Sequence, residues 1–303
     1  MPARLPPFLA PGDEVLLVAT ARPVTPVTLA AAQASLIRCG LRVRESPCLY
    51  AAHGRFAGPD APRQAALQQA LDDPEARAIL FARGGYGTGR LLLGLDWSGF
   101  AAHPKWLVGF SDLSLLLLDA LGQGYASLHA PMALSFAQAV ASTDLEALSQ
   151  ALQGHLPPLL WAPDAANRLG ACRGPVVATN LSLLQTTLGT PQQPKLTGAI
   201  LVLEEIDEYP YRLDRALNHL RRAGLLDHLA GLVLGELGLL QPPTEDGFDS
   251  LEDLVGHHLQ GTHYPVAWGA PVGHSTRNVP LAVGHPYALT VSAQGAQLVP
   301  LAT

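Results

Sequence analysis

The sequence predicts an α/β protein with a doubly wound parallel sheet in an N-terminal domain and a smaller C-terminal domain that is also α/β. Short apolar runs alternate with longer helical segments through the first half, which is typical of this class. The composition agrees, because 48% of the 303 residues are apolar and only 15% are charged, so a sizeable core can be buried. The 29 glycines and 26 prolines lie scattered between the apolar runs, as loop residues do.

The first half begins with a continuous apolar run that predicts a buried parallel strand, and an Ala-rich helix follows it. The same order of elements then repeats along the chain, which predicts a parallel sheet with helical crossovers. The expected strands lie at residues 15–19, 41–43, 78–81, 106–108 and 126–128, and the expected helices at 27–38, 63–71 and 113–121.

The segment at residues 154–174 is rich in Pro, Ala and Asp and has no clear period. We interpret it as a linker between an N-terminal domain, residues 1–153, and a C-terminal domain, residues 175–303. The second domain also alternates between strand and helix patterns, although its topology does not follow from them. Its expected strands lie at 200–203, 231–234, 266–268 and 288–291, and its expected helices at 211–223 and 251–259.

The charge and cysteine content argue against several classes of partner. The formal net charge is -6 without a basic block, so we expect no nucleic-acid partner. Cys39, Cys48 and Cys172 show no CxxC spacing, which supports neither a disulfide framework nor a zinc site, and we expect no metal and no cofactor. Residues 1–11 lack signal-peptide features and the apolar stretch 113–118 is too short to span a membrane. We therefore expect a cytoplasmic protein without a membrane partner.

The first candidate site is the sequence VGFSD at residues 108–112, between an apolar strand and an apolar helix. Such a strand-to-helix turn resembles a nucleophile elbow, in which Ser111 would be held at the carboxyl edge of the sheet. Gly109 allows the tight turn, but Leu113 stands where the usual second glycine would be. The alternative is that Ser111 only caps the helix and Asp112 favours its positive end.

The second candidate is the glycine-rich sequence RGGYGTGR at residues 83–90, which follows the third expected strand. Its glycines allow backbone N–H groups to approach a ligand and to form an anion-binding concavity. The spacing matches neither a P-loop nor G-x-G-x-x-G. Its expected place is the same sheet edge as Ser111, where parallel sheets bind ligands. Without Ser111 nearby, a plain glycine-rich turn would be the better interpretation.

Two further segments offer a carboxylate and a histidine. The sequence LEEIDE at residues 203–208 ends a predicted strand, and one of its carboxylates could orient a histidine, although such clusters are more often solvated loops. His274 lies among small polar residues at 271–278 and can reach a substrate, although a lone loop histidine is usually inert. Other histidines have no comparable surroundings: His103, His129, His219 and His263.

Taken together and in this order, these segments resemble the LD-carboxypeptidase family of serine peptidases (family S66, the muramoyl-tetrapeptide carboxypeptidase type). The resemblance covers nearly the whole chain, and the RGGYG, GFSD and PYRxDR pieces together are specific. The matching residues are PGD at 11–13, RGGYG at 83–87, GFSD at 109–112, NL at 180–181, LGTP at 188–191, LE at 203–204, PYRLDR at 210–215 and GH at 273–274.

The resemblance implies that Ser111 is the nucleophile, His274 the general base and Glu204 the acid that orients the histidine. Glu205 is the alternative acid, because neighbouring strand side chains face opposite ways and only one of the two can point towards the site. We expect the backbone amides of Asp112 and Gly85 to form the oxyanion hole.

The same resemblance implies substrate contacts in the glycine-rich segment, for which we single out Arg83, Gly84 and Tyr86. Arg83 and Arg90 are the candidates for binding a terminal carboxylate, although Arg83 could equally pair with a core acid. Within 210–215, Arg212, Asp214 and Arg215 fit a helix-surface ion pair better than a binding site. One segment departs from the family, which commonly has a turn such as Ala-Pro-Ser where residues 19–23 read ATARP.

The activity implied is removal of the terminal D-alanine from the tetrapeptide of cell-wall muropeptides, by a homodimer that acts on this or another small peptide. Two alternatives stay open. A related enzyme type in the family cleaves peptidyl-nucleotide or acyl-amidate antibiotics and gives self-immunity. From a different class, the chain could be a non-catalytic ligand-binding α/β protein, but the presence of all three of Ser111, Glu204 and His274 argues against that.

Overall fold

The computed structural model describes residues 3–138 and 140–302, which form thirteen strands and eight α-helices arranged around two mixed sheets. The strands are β1 (Glu14–Val18), β2 (Arg42–Glu45), β3 (Ala76–Phe81), β4 (Trp106–Gly109), β5 (Ser127–His129), β6 (Leu159–Trp161), β7 (Gly170–Asn180), β8 (Ile200–Glu208), β9 (Gly231–Leu239), β10 (Val266–Ala267), β11 (Leu281–Val283), β12 (Pro286–Ser292) and β13 (Gly295–Pro300). The helices are α1 (Pro26–Arg38), α2 (Asp60–Asp72), α3 (Ser98–Ala102), α4 (Ser114–Gly122), α5 (Ser142–Leu152), α6 (Leu181–Thr186), α7 (Pro210–Arg222) and α8 (Leu251–His258).

The first sheet has six strands in the order β11-β5-β4-β3-β1-β2. All neighbours are parallel except β11, which runs antiparallel to β5. Helices cover both faces, because Leu17 on β1 packs in the same apolar cluster as α1, whereas its neighbour Leu16 packs with α2 and α4. This is the doubly wound sheet that the sequence predicts.

The second sheet has seven strands in the order β10-β9-β8-β7-β12-β13-β6. β10, β9, β8 and β7 are parallel, and β12, β13 and β6 continue the sheet as antiparallel strands. The α/β class of the C-terminal part is thereby confirmed. β8 and β9 extend to Glu208 and Leu239, well beyond the apolar runs that predicted them. The apolar runs did not reveal these outer halves, because they are partly exposed and are interrupted by acidic residues or glycines.

Residues 154–174 include β6 and the first part of β7, both of which pair with strands of the second sheet. The segment expected to be an irregular linker therefore contains regular structure, while the division into domains at 153 and 175 stays a prediction. Strand β11 comes from the C-terminal half of the chain but belongs to the first sheet. None of the described helices has the length and apolar character that spanning a bilayer requires.

Local sequence explains how the elements begin and end. In α1, Thr25 and Thr28 form a reciprocal capping box, and Pro26 occupies the first helical position, where a missing N–H group costs nothing. Helix α2 ends against Lys105, a buried lysine that donates to the backbone carbonyl groups of Ala70, Leu71 and Asp73. A cation is favourable there because the last turn of a helix leaves carbonyl oxygens unpaired.

Candidate active site

Ser111 lies in a sharp turn between β4 and α4, where its backbone has a left-handed φ of 59°. Left-handed backbone is unfavourable for residues other than glycine and usually persists where function requires it. The turn is tight because Gly109 lies against Leu113: a Cβ atom at position 109 would be 3.0 Å from the Leu113 side chain. The short helical turn at Ser111–Leu113 and α4 after it have no side-chain cap, so Ser111 does not act as a helix cap.

Asp112 is buried and joins this turn to the glycine-rich segment. Its Oδ2 accepts a hydrogen bond of 2.8 Å from the backbone N–H of Thr88. The hydroxyl group of Thr88 lies 2.8 Å from that of Thr20, which follows β1. The turn carrying Ser111, the glycine-rich segment and the segment after β1 therefore form one connected structure at the carboxyl edge of the parallel sheet.

Gly84 packs directly against Ser111. A Cβ atom at position 84 would lie 3.2 Å from both Cβ and Oγ of Ser111 and 3.4 Å from the amide nitrogen of Asp112. Only a glycine allows this approach, which places the backbone of residues 84 and 85 beside the hydroxyl group. The geometry agrees with an oxyanion hole formed by the amides of Gly85 and Asp112, which stays a prediction.

His274 and Glu204 form a hydrogen-bonded pair, with 2.6 Å between Nδ1 and Oε2. Glu204 is on β8 and its side chain is 1% exposed, whereas that of His274 is 16% exposed. Burial lowers the pKa of His274, but the hydrogen bond and charge of Glu204, helped by the charges of Glu236 and Glu205, outweigh it and leave the pKa raised. The carboxylate therefore favours the protonated imidazole, as the acid of a catalytic triad does.

Glu205, the alternative acid, points to the opposite side of β8 and has other partners. Its Oε1 accepts a hydrogen bond of 2.8 Å from Asn180 Nδ2, and its Oε2 accepts one of 2.8 Å from the amide of Ser182. Asn180 in turn caps α6 through its side-chain oxygen, which accepts from the amide of Leu183. Burial raises the pKa of Glu205, and these hydrogen bonds oppose the rise only in part. Glu205 thus holds the start of α6, and Glu204 is the residue that reaches His274.

Phe110 connects the turn that carries Ser111 to the histidine, since its ring centroid lies 4.8 Å from that of His274. Within the part of the chain that the structure describes, His274 makes its hydrogen bond to Glu204 and none to Ser111. In serine enzymes without a bound ligand, this hydrogen bond is often long and shortens only when substrate binds.

Sequence reasoning missed His129, which is fully buried at the end of β5 with its ring 5.8 Å from that of Phe110. Burial lowers its pKa to about 4, and the charge of Glu204 opposes this only partly. The residue ends the strand next to β4, at the edge where ligands bind. The position of His129 at the end of a strand could have indicated a site residue, but a strand of three residues is too short to be located from its sequence pattern.

The other predicted residues fall into different surroundings. Arg90 forms an ion pair with Asp60, 2.6 Å apart, so it is not available for a carboxylate. Tyr86 is exposed and its ring lies 5.8 Å from that of Phe56. Arg83 is half-buried, and no acid pairs with it among the described residues, so the expected alternative of a core ion pair is wrong.

The prediction of an ion pair among Arg212, Asp214 and Arg215 names the wrong partners. Arg212 pairs with Glu208, 3.5 Å away at the end of β8, because residues four apart meet on one side of the chain as it enters α7. Asp214 instead lies 2.7 Å from the buried ring of His258 on α8, and this contact joins the two helices. The segment therefore contributes to packing around the second sheet.

Comparison with known families matches two profiles to this chain. The LD-carboxypeptidase N-terminal domain matches residues 15–130, and the LD-carboxypeptidase C-terminal domain matches residues 173–289. Together they cover well over half of the chain. The first match contains the turn with Ser111, and the second contains Glu204 and His274.

Individual relatives agree with these matches. The probable murein peptide carboxypeptidase of Bacillus subtilis (strain 168) is 33% identical over 288 residues, covering 92% of this chain and 89% of that protein. The crystal structure of muramoyltetrapeptide carboxypeptidase from Oxalobacter formigenes superposes with a TM-score of 0.85 at 28% identity, covering 94% of this chain and 98% of that one. The microcin C7 self-immunity protein MccF superposes with a TM-score of 0.82 at 18% identity and covers 99% of both chains, which shows a shared fold.

Proposed function

Because this chain belongs to the LD-carboxypeptidase family of serine peptidases, we propose that it is a carboxypeptidase that releases the terminal D-alanine from muropeptide tetrapeptides. One observation supports this most directly. A strained serine, Ser111, lies in the same site as the hydrogen-bonded pair of His274 and Glu204. A protein that only bound a ligand would need neither the strain nor the buried carboxylate.

The proposed reaction is acyl transfer through Ser111. Its Oγ attacks the carbonyl carbon of the peptide bond while His274 Nε2 accepts the hydroxyl proton, and Glu204 keeps Nδ1 protonated by accepting its hydrogen bond. The amides of Asp112 and Gly85 stabilise the negative oxygen of the tetrahedral intermediate. His274 then gives the proton to the departing amine of D-alanine. Water, activated by the same histidine, hydrolyses the ester and regenerates the serine.

Substrate binding is assigned to Arg83, Gly84 and Tyr86. Gly84 brings the backbone close to the reacting carbonyl group, and the exposed ring of Tyr86 borders the same loop. Arg83 supplies a positive charge for a carboxylate of the peptide, since no described acid neutralises it. These assignments make the glycine-rich segment the substrate side of the site, opposite the pair of His274 and Glu204.

The experiment is incubation of the purified protein with L-Ala-γ-D-Glu-meso-Dap-D-Ala, with mass spectrometry to measure free D-alanine. The variants Ser111→Ala, Glu204→Gln and His274→Ala are tested beside the wild type. We expect release by the wild type and its loss in all three variants. A Ser275→Ala variant is the matched control, because this exposed serine neighbours His274 and its hydroxyl group hydrogen-bonds within its own loop.

The alternatives give different results in the same experiment. If well-folded protein releases no D-alanine but hydrolyses a peptidyl-nucleotide conjugate in a Ser111-dependent way, the muropeptide assignment is wrong and the antibiotic-immunity activity replaces it. A protein that hydrolyses neither substrate and shows no Ser111-dependent labelling by a fluorophosphonate probe would be a ligand-binding member of the family.

We also propose that the protein is cytoplasmic and forms a homodimer. Cys39, Cys48 and Cys172 are free thiols, which suits a reducing compartment. The dimer rests on the family resemblance. Light scattering on the purified protein measures the subunit number, and cell fractionation measures the location.

A further inference from the structure

Two arginines beside the nucleophile lack the partners that arginines usually have. Arg22 follows β1 in the segment that departs from the family pattern, and Arg83 begins the glycine-rich segment. Among residues 3–138 and 140–302, neither guanidinium group has an acidic side chain within 4.0 Å. Burial, and then the charge of Arg22, lower the pKa of Arg83. Two positive charges therefore lie close together without a protein anion.

Neighbouring arginines show what structural roles look like in this region. Arg63 is 1% exposed and donates to the carbonyl groups of Gly58, Thr20 and Gly87, and to the carboxylate of Asp60. Arg90 donates to the same Asp60 carboxylate. The Asp60 carboxylate is thus occupied by Arg63 and Arg90. Arg22 differs from both in that it forms no ion pair among the described residues.

Arg22 is held close to the nucleophile. A Cβ atom at position 85 would lie 2.7 Å from Cδ and 2.8 Å from Nε of Arg22, so this side chain crosses directly over Gly85. The preceding residue, Gly84, is the one that packs against Ser111. In space, only the backbone of Gly84 and Gly85 therefore lies between Ser111 and the Arg22 side chain.

The backbone that carries Arg22 is fixed on both sides. Arg63 donates to the carbonyl oxygen of Thr20, and the amide of Ala57 donates to that of Ala21 at 2.8 Å. Pro23 restricts the preceding residue to extended backbone. The backbone from which the Arg22 side chain extends is thus positioned before substrate arrives, which reduces the entropy lost on binding.

We propose that Arg22 and Arg83 together bind the terminal carboxylate of the amino acid that is released. This inference rests on the proposed function. In the substrate, that carboxylate is separated from the scissile carbonyl carbon only by the amide nitrogen and one α-carbon, so it must lie next to Ser111 and its glycines. Guanidinium groups pair with carboxylates through parallel hydrogen bonds. The pair makes the enzyme an exopeptidase, because an extended or amidated peptide offers no charge at this point.

The test compares two substrates, the tetrapeptide that ends in D-alanine and the same peptide ending in D-alaninamide. We expect the wild type to cleave the free acid about 10- to 100-fold more efficiently, in kcat/KM, than the amide. In Arg22→Met and Arg83→Met this ratio falls towards one, through loss of activity on the acid, while activity on the amide is kept. Arg22→Lys restores part of the ratio, since it keeps the charge but not the planar fork.

Arg55→Met is the matched control, because Arg55 is an exposed arginine of the same region whose charge lies over the Tyr86 ring, 5.9 Å from its centroid. Its ratio stays at the wild-type value. Equal losses on acid and amide in Arg22→Met, or an unchanged ratio, would overturn the inference while leaving the carboxypeptidase activity in place. If the wild type cleaves neither peptide, the proposed function and this inference both fail.

Discussion

Replacement of Glu204 by glutamine tests the part of the site on which the mechanism depends most. The substitution keeps the shape of the side chain but removes the charge that lies 2.6 Å from His274 Nδ1. In the transition state His274 is positively charged. Two unit charges about 4 Å apart interact by about 4 kcal/mol at an effective dielectric constant of about 20. Since about 1.4 kcal/mol changes a rate tenfold, kcat should fall by about 10³-fold.

The loss can be larger, because the glutamine amide can also stabilise the wrong tautomer of the imidazole. In a comparable triad this effect brings the loss to about 10⁴-fold. The assay is release of D-alanine under saturating substrate, followed over hours to capture slow turnover. Glu205→Gln is the matched control: the amide oxygen can still accept one of the hydrogen bonds from Asn180 and Ser182, but the NH2 group cannot accept the other, so we expect about 1–3 kcal/mol of lost stability but less than a tenfold loss of kcat.

The pH profile gives a second, independent measurement. The raised pKa of His274 means that the free enzyme loses its base as pH falls through a value above 6.5. In Glu204→Gln the charge of Glu204 and its charge-assisted hydrogen bond, which are the largest raising interactions, are removed, while burial and the weaker effects of Glu236 and Glu205 remain, so the acid limb of kcat/KM must move to lower pH. The reasoning is refuted if Glu204→Gln retains nearly full activity with an unmoved acid limb, or if Glu205→Gln shows the large loss instead.

Three further predictions use other features of the site. Ser111→Gly should be more stable than the equally inactive Ser111→Ala by about 1 kcal/mol in urea unfolding, because only glycine adopts a φ of 59° without strain. Equal stabilities of the two variants would mean that the turn is unstrained. Gly84→Ala should reduce kcat about 100-fold by displacing the Ser111 hydroxyl group, while Gly122→Ala, with no atom within 4 Å of the added methyl group, keeps full activity. His129 has a pKa of about 4 in the folded state against 6.5 in the unfolded state, so between these values the unfolded state binds more protons. The free energy of unfolding therefore falls by roughly 3 kcal/mol as pH drops through this window. His129→Gln should remove this loss, whereas the exposed control His155→Gln should keep it, and the reasoning fails if both variants behave alike.

Much of the fold could be predicted because its central strands are buried on both faces. Such strands are continuous apolar runs, as in β1 and β3, and they are visible without knowledge of their partners. Among the strands that were missed, β6, β11 and β13 pair antiparallel, whereas β7, the longest strand, begins inside the segment that was interpreted as a linker. Strand β6 has only three residues and is stabilised by pairing with β13, which lies more than a hundred residues further along the chain. No local pattern contains that pairing.

The residues of the site also divide into those that the sequence predicts and those that it does not. Ser111, Glu204 and His274 lie in motifs that resemble a known family, so their proximity could be expected from the sequence. Arg22 and His129 lie in no such motif. The position of Arg22 depends on the close approach of Gly85, and that of His129 depends on the register between β5 and β4. Contacts of this kind are made by tertiary packing, which a single sequence does not reveal.

Strand β11 has a consequence for how the enzyme is made. A ribosome must synthesise residue 283 before the first sheet can be completed, and until then β5 is an edge strand with unpaired backbone groups, which favours aggregation. His274 lies just before β11 in the chain, so the proposed base belongs to the same late segment. Completion of the sheet and assembly of the hydrolytic machinery therefore coincide. A nascent chain that ends before residue 274 therefore carries Ser111 but lacks the proposed base.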